Sequence, residues 1–278
     1  MLWFLKFGVT AVAAIALLKW AGDSDVQTVE TTTDAQNYAV AARYLNRWTH
    51  KTVLVGSSLT FRLSEDYFQS DDVENLSQAG GSPVTGLQVI AGASTPRLVL
   101  VEANVLNRVV DDAILAKLKD RNSNIYRPVR SAAAYYETLM HPPLEKAQVK
   151  AKVDQLIAQP PSDVINSSLV DQTLHEAETM PPAEAVRRGL SDIQKYKAQL
   201  ESRGAKVLLF HMPYSPRFET TPFAVASTQM AAEAFPDAAS WFTIDVDRSQ
   251  LRWSDGVHLD ARSAAMVARA IEAATAKN

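Results

Sequence analysis

A chain of 278 residues, 47% of them hydrophobic, is long enough to build one large α/β domain or two small ones around a real core. Its net charge of −3, with both signs interspersed, leaves no strongly basic footprint for nucleic acid. The absence of cysteine excludes disulfides, thiol catalysis, thiolate metal sites and a lipidated N-terminal cysteine.

Residues 1–20, MLWFLKFGVTAVAAIALLKW, are mostly apolar. Leu2 to Trp20, with Lys6 and Lys19 snorkelling outward, is long enough to cross a bilayer, which reads as an uncleaved transmembrane signal anchor. A cleaved signal peptide is the rival, but Lys19-Trp20 stands where small residues should precede the cut. Lys6 and the amino terminus oppose a Lys19 that is followed by Asp23 and Asp25, which points to a domain outside the cytoplasm. Residues 21–35 are polar and aperiodic, a linker to a domain over 36–278.

Tyr38, Ala41, Leu45 and Trp48 share one helical face and suggest an opening helix packed on that domain. Strands and helices then alternate: a strand over Thr52–Val55, a short helix over Thr60–Phe68, a strand over Val73–Leu76, a helix over Val84–Ala91 and a strand over Leu98–Val101. The last strand is apolar on both faces, as in a parallel sheet covered on both sides. Residues 108–203 are helix-rich and broken by Pro-Pro pairs at 142–143, 160–161 and 181–182, and read as a helical insertion or small subdomain. Its final helix carries the stripe Val186, Leu190, Ile193 and Leu200, with Gly204 as C-terminal cap. A strand at Lys206–Phe210, another near Phe242–Val246 and a helix from Ala261 to Ala274 capped by Asp260 close the chain. The pattern predicts an α/β fold, a three-layer α/β/α sandwich with a parallel, flavodoxin-like sheet and a helical insertion.

Several short stretches then invite a chemical reading. In VLVGSSLTFRL, Gly56-Ser57-Ser58 ends a strand at the edge where open parallel sheets bind ligands. Taken alone this is a turn with a serine cap, or a displayed nucleophile. Trp253-Ser254-Asp255-Gly256-Val257-His258 precedes the last helix. A serine needs a base, imidazole is the usual one, and Asp255 can curl back to orient His258. NLSQAGG, with Gly80, and Glu102-Ala103-Asn104 also follow strand ends, and both offer donors to an oxyanion. His211 follows the strand KVLLF, while His50, His141 and His175 lack chemical company. No spacing suggests a metal site and no glycine-rich phosphate loop follows a strand, so no cofactor or metal is expected.

The order Gly56-Ser57-Ser58, Gly80, Asn104, Asp255/His258 resembles the four blocks of the SGNH (GDSL-type) serine esterase and acyltransferase family, over about 52–106 and 205–274. The resemblance implies Ser58 as nucleophile, His258 as base, Asp255 as its partner, and an oxyanion hole of Ser58, Gly80 and Asn104. Ser57 departs from the family's usual Asp, and Gly-Ser-Ser is similar to membrane-anchored branches that modify bacterial surface polymers. Glu102 stands where Gly is usual, either as a structural acid under the site, paired to Arg62 or Arg108, or as a perturbation of the oxyanion hole. The implied protein is a membrane-tethered, periplasmic serine O-acyltransferase that moves an acyl group, acetyl above all, onto a polysaccharide. Its implied partners are that polysaccharide acceptor and an integral membrane protein delivering the acyl donor. A carbohydrate esterase and a non-catalytic scaffold of an export complex are the rivals.

Overall fold

The computed structural model describes residues 32–46, 52–93, 95–119, 144–162 and 164–276, with isolated positions between 3 and 16 and between 136 and 142. Four strands, β1 (Thr52–Val55), β2 (Val73–Asn75), β3 (Leu98–Glu102) and β4 (Lys206–Phe210), form one parallel sheet in the order β2-β1-β3-β4. The registers pair Leu54 with Asn75, Val53 with Val99, and Val101 with Leu209. Side chains alternate across the sheet, yet both sets are apolar. Val53, Val55, Val99, Val101, Val207 and Leu209 enter one core cluster, while Leu54, Leu98, Leu100, Leu208 and Phe210 enter the other. Two covered faces explain why these strands read as continuous apolar runs.

The helices are α1 (Thr33–Asn46), α2 (Ser58–Phe61), α3 (Pro83–Ala91), α4 (Asp112–Lys119), α5 (Lys146–Ala158), α6 (Ser167–Ala177), α7 (Ala183–Glu201), α8 (Pro216–Glu219), α9 (Pro222–Ala234) and α10 (Ala261–Thr275). Helices α1, α3, α4 and α7 bury apolar residues in the first cluster, and α2 and α10 in the second. The fold is therefore a three-layer α/β/α sandwich. From β1 the chain winds to β2 on one side, then returns to β3 on the other. The reversal opens a crevice at the carboxyl ends of β1 and β3, where such sheets place ligands.

Some expectations need correction. Helix α7 is the crossover from β3 to β4, because Val186, Leu190, Ile193 and Leu200 lie in the same cluster as the strands. Helix α4 also joins that cluster through Ile114, so residues 108–203 are not one insertion. The material added to the sandwich lies between α4 and α7, and its α5 is tied to α10 by Arg269–Asp154 and by Arg262 Nε donating to Gln159 O. Helix α1 begins at Thr33, inside the expected linker, and buries Asn37, Ala41 and Tyr44, leaving Leu45 exposed. The buried stripe is thus turned relative to the expected one, and Trp48 lies outside the described residues. The helix expected over Thr60–Phe68 starts earlier, stops at Phe61 and gives way to a 3-10 turn at Glu65–Tyr67. Phe242–Val246 is not a strand; only Trp241 bridges to Leu209, with Phe242 N donating to Leu209 O at 2.7 Å.

Among the described residues, no helix is long and apolar enough to cross a membrane. The anchor expected over 1–20 is described only at scattered positions, and the linker up to residue 31 lies outside the described residues.

Candidate active site

At the end of β1 the two serines of Gly56-Ser57-Ser58 take different places. Ser57 is the helix cap: its extended backbone leads into α2, and its hydroxyl accepts from Leu59 N at 3.2 Å. Ser58 opens α2 and is partly exposed. Glycine is required before them, since a Cβ at Gly56 would lie 2.5 Å from Glu102 Oε2 and 2.7 Å from Thr60 Oγ1. The far end of this short helix is held by Asn75, whose Nδ2 donates to the carbonyls of Thr60 at 2.7 Å and Leu63 at 2.8 Å.

Two hundred residues later the chain brings His258 to Ser58. Trp253 and Leu259 bridge, Ser254 N donates to His258 O, and Gly256 takes φ +87° to turn the loop between them. Within the loop, Asp255 Oδ1 accepts from Val257 N at 3.0 Å and His258 N at 2.7 Å. Its Oδ2 lies 2.6 Å from His258 Nδ1, and His258 Nε2 lies 2.8 Å from Ser58 Oγ. Burial alone would raise the Asp255 carboxyl, but hydrogen bonds from the His258 ring and backbone, the ring's charge and Val257 N outweigh it and hold the group at about 2. An ionised carboxylate assigns the proton to Nδ1, which leaves Nε2 as acceptor for the Ser58 hydroxyl proton. The loop is braced from two sides: Trp253 Nε1 donates to Pro213 O and Ser215 Oγ to Gly256 O, while Asn166 N donates to Ser254 O. Val170 of α6 lies against Gly256. Behind the loop, Asp260 caps α10 by accepting from Ser263 N at 2.7 Å.

The other two expected residues sit at the same sheet edge. Gly80 takes φ +70°, and its loop is tied to the Gly56-Ser57-Ser58 turn by Gln78 N donating to Gly56 O at 2.9 Å. Asn37 of α1 grips the loop, accepting from Ala79 N and donating to Ala79 O. Asn104 is buried, and its carboxamide pairs with the Met212 backbone in both directions, at 2.7 and 3.0 Å. Ser58 N–H, Gly80 N–H and the second amide N–H of Asn104 have no acceptor among the described residues.

Glu102 is fully buried and forms no ion pair with Arg62 or Arg108, so neither cation is its partner. Its carboxylate lies under the turn that carries Ser58, accepting from Ser57 N, Ser57 Oγ, Thr60 N and Thr60 Oγ1. Burial raises its pKa above the ordinary carboxylate range, against the pull of those hydrogen bonds. His211 stacks on Trp241 at 4.9 Å, and burial lowers its imidazole to about 4, which keeps it neutral near pH 7. The roles of Asn37, Asn75 and Met212 escaped sequence reasoning, because each depends on a partner distant in the chain, while Glu102 takes the expected place of an acid under the site but with hydroxyl and backbone donors where an arginine was expected. Glu102, a buried acid ending the apolar run Leu98–Val101, is the one local signal.

Ser58 and His258 face a cleft of about 520 Å³, also lined by Gln36, Arg62, Tyr67 and Ala79. Among the described residues, no group of His, Asp and Glu is arranged to hold a metal ion. Compared with protein-family models, curated proteins and solved structures, the chain finds no match.

Proposed function

We propose that this protein is a serine acyl-transfer enzyme, resembling the SGNH family, that carries an acyl group on Ser58. The observation behind this reading is the continuous relay from Ser58 Oγ through His258 to the Asp255 carboxylate, at 2.8 and 2.6 Å. Ser58 Oγ attacks the ester carbonyl of a donor as its proton passes to His258 Nε2, and Asp255 balances the imidazolium. The N–H groups of Ser58 and Gly80 and the Asn104 amide receive the oxyanion. Collapse expels the donor's alcohol, which takes the proton from Nε2 and leaves acyl-Ser58. An acceptor hydroxyl then gives its proton to Nε2, attacks the acyl carbon and leaves with the acyl group. The serine regains its proton.

The acceptor and setting rest on the resemblance of Gly56-Ser57-Ser58 to the tethered polymer-modifying branches. On that reading the acyl group is acetyl and the acceptor a polysaccharide hydroxyl. An integral membrane protein supplies the donor, and residues 1–20 anchor the domain on the periplasmic side.

Intact mass spectrometry of the acid-quenched full chain, after exposure to an activated acetyl ester, tests the core claim. One added acetyl group on Ser58, absent in Ser58→Ala, is expected. An unmodified Ser58 under turnover would overturn the nucleophile. Adding an oligosaccharide separates the two fates: acetylated sugar supports transfer, and free acetate alone makes the protein an esterase.

A further inference from the structure

A buried carboxylate without a cation is costly, and such a group persists when it has a full set of donors. Glu102 has that set. Ser57 Oγ already accepts from Leu59 N, so its own proton goes to Glu102 Oε1 at 2.6 Å. Ser57 N, Thr60 N and Thr60 Oγ1 converge on Oε2 at 2.9, 3.2 and 2.6 Å. Phe61 N donates to Ser57 O. From Ser57 to Phe61, every backbone N–H is therefore spoken for except that of Ser58. Ser57 and Thr60, on either side of Ser58, are pinned to Glu102 of β3, and the N–H and Oγ of Ser58 are left for the cleft.

We propose that Glu102 is a positioning residue: it clamps Ser57 and Thr60 so that Ser58 presents its hydroxyl to His258 and its lone unpaired N–H to the substrate carbonyl. This rests on the reading of Ser58 as nucleophile. Glu102 touches no reacting atom and acts only through the turn.

The test measures covalent labelling of Ser58 in the full chain by a fluorophosphonate, as a rate and as a final labelled fraction. In Glu102→Gln the amide oxygen stays with the three donors, and the NH2 falls on Ser57 Oγ, stranding that hydroxyl's proton. A turn displaced by about an ångström should label about a hundredfold more slowly, the cost a misplacement of this size carries. The labelled fraction should still reach completion, whereas mere structural damage would lower the fraction. Thr60→Val should also slow labelling, and Thr60→Ser, which restores the hydroxyl, should label within about twofold of wild type, a gap below 0.5 kcal/mol. If Glu102→Gln does not fold, the Thr60 pair decides alone. A labelled wild type with variants that label at the wild-type rate overturns the role of Glu102 only. A wild type that never labels at Ser58 overturns the nucleophile and the clamp together.

Discussion

Replacing Asp255 by asparagine should abolish turnover by reversing the imidazole while leaving the fold intact. The direction follows from which end of the new amide faces the ring. Val257 N and His258 N both donate to Oδ1, at 3.0 and 2.7 Å, so the amide oxygen must take that position. The NH2 then occupies the place of Oδ2, 2.6 Å from Nδ1. Two donors cannot meet, so Nδ1 gives up its proton and Nε2 acquires one, aimed at Ser58 Oγ. A base already carrying a proton cannot take another. The loss expected for a wrong-tautomer histidine is about 10⁴-fold in kcat, or about 5.5 kcal/mol. Stability should change far less. The Asp255 carboxyl sits at about 2 against an ordinary 3.8, which corresponds to about 2 kcal/mol before solvent screening and about 1 after it. The assay is hydrolysis of an activated acetyl ester alongside a urea melt. An Asp255→Asn protein that melts like wild type and keeps more than a tenth of its rate would refute the tautomer argument.

The same carboxyl makes an acid-limb prediction. Its folded pKa is depressed, so its contribution is present above pH 4 or so and fades as pH falls toward about 2. The stability gap between wild type and Asp255→Asn, read from urea midpoints, should therefore shrink over that window; a constant gap would contradict it. Gly189→Ala tests the placement of α7. A helical Gly→Ala change ordinarily gains about 1 kcal/mol, but here the new methyl would run into the backbone carbonyl of Leu106. Overpacking of about 1–3 kcal/mol or more should win and lower the melting temperature by several degrees, and a raised one would count against the crossover packing.

How much was visible beforehand divides by distance along the chain. Strands β1, β3 and β4 were legible because burial on both faces leaves no polar interruption, and because Gly56 punctuates the end of β1. The Asp255–His258 pair was legible because Gly256 lets three residues close a turn on themselves. The Glu102 clamp was not: its partners lie more than forty residues away, and nothing local distinguishes it from an acid at a strand end. The Phe242–Val246 segment misled for a physical reason. Its alternation is real and sends Phe242, Ile244 and Val246 into the second core cluster, but period-2 burial does not require a hydrogen-bonded neighbour. Residues 183–201 misled through the company they keep. A proline-broken helical stretch precedes them, so an ordinary crossover looked like the tail of an insertion.

The bracing of the 253–259 loop has a consequence for how this protein fails. The turn that carries Ser58 is anchored to β3 through Glu102, whereas the loop that carries His258 is held between the 213–215 segment on one side and Asn166 and Val170 on the other. Loosening residues 164–177 would remove one of the loop's two braces while the central strands stay paired. A thermal melt, which reports the sheet, would record a healthy molecule even where the proposed acyl transfer had slowed.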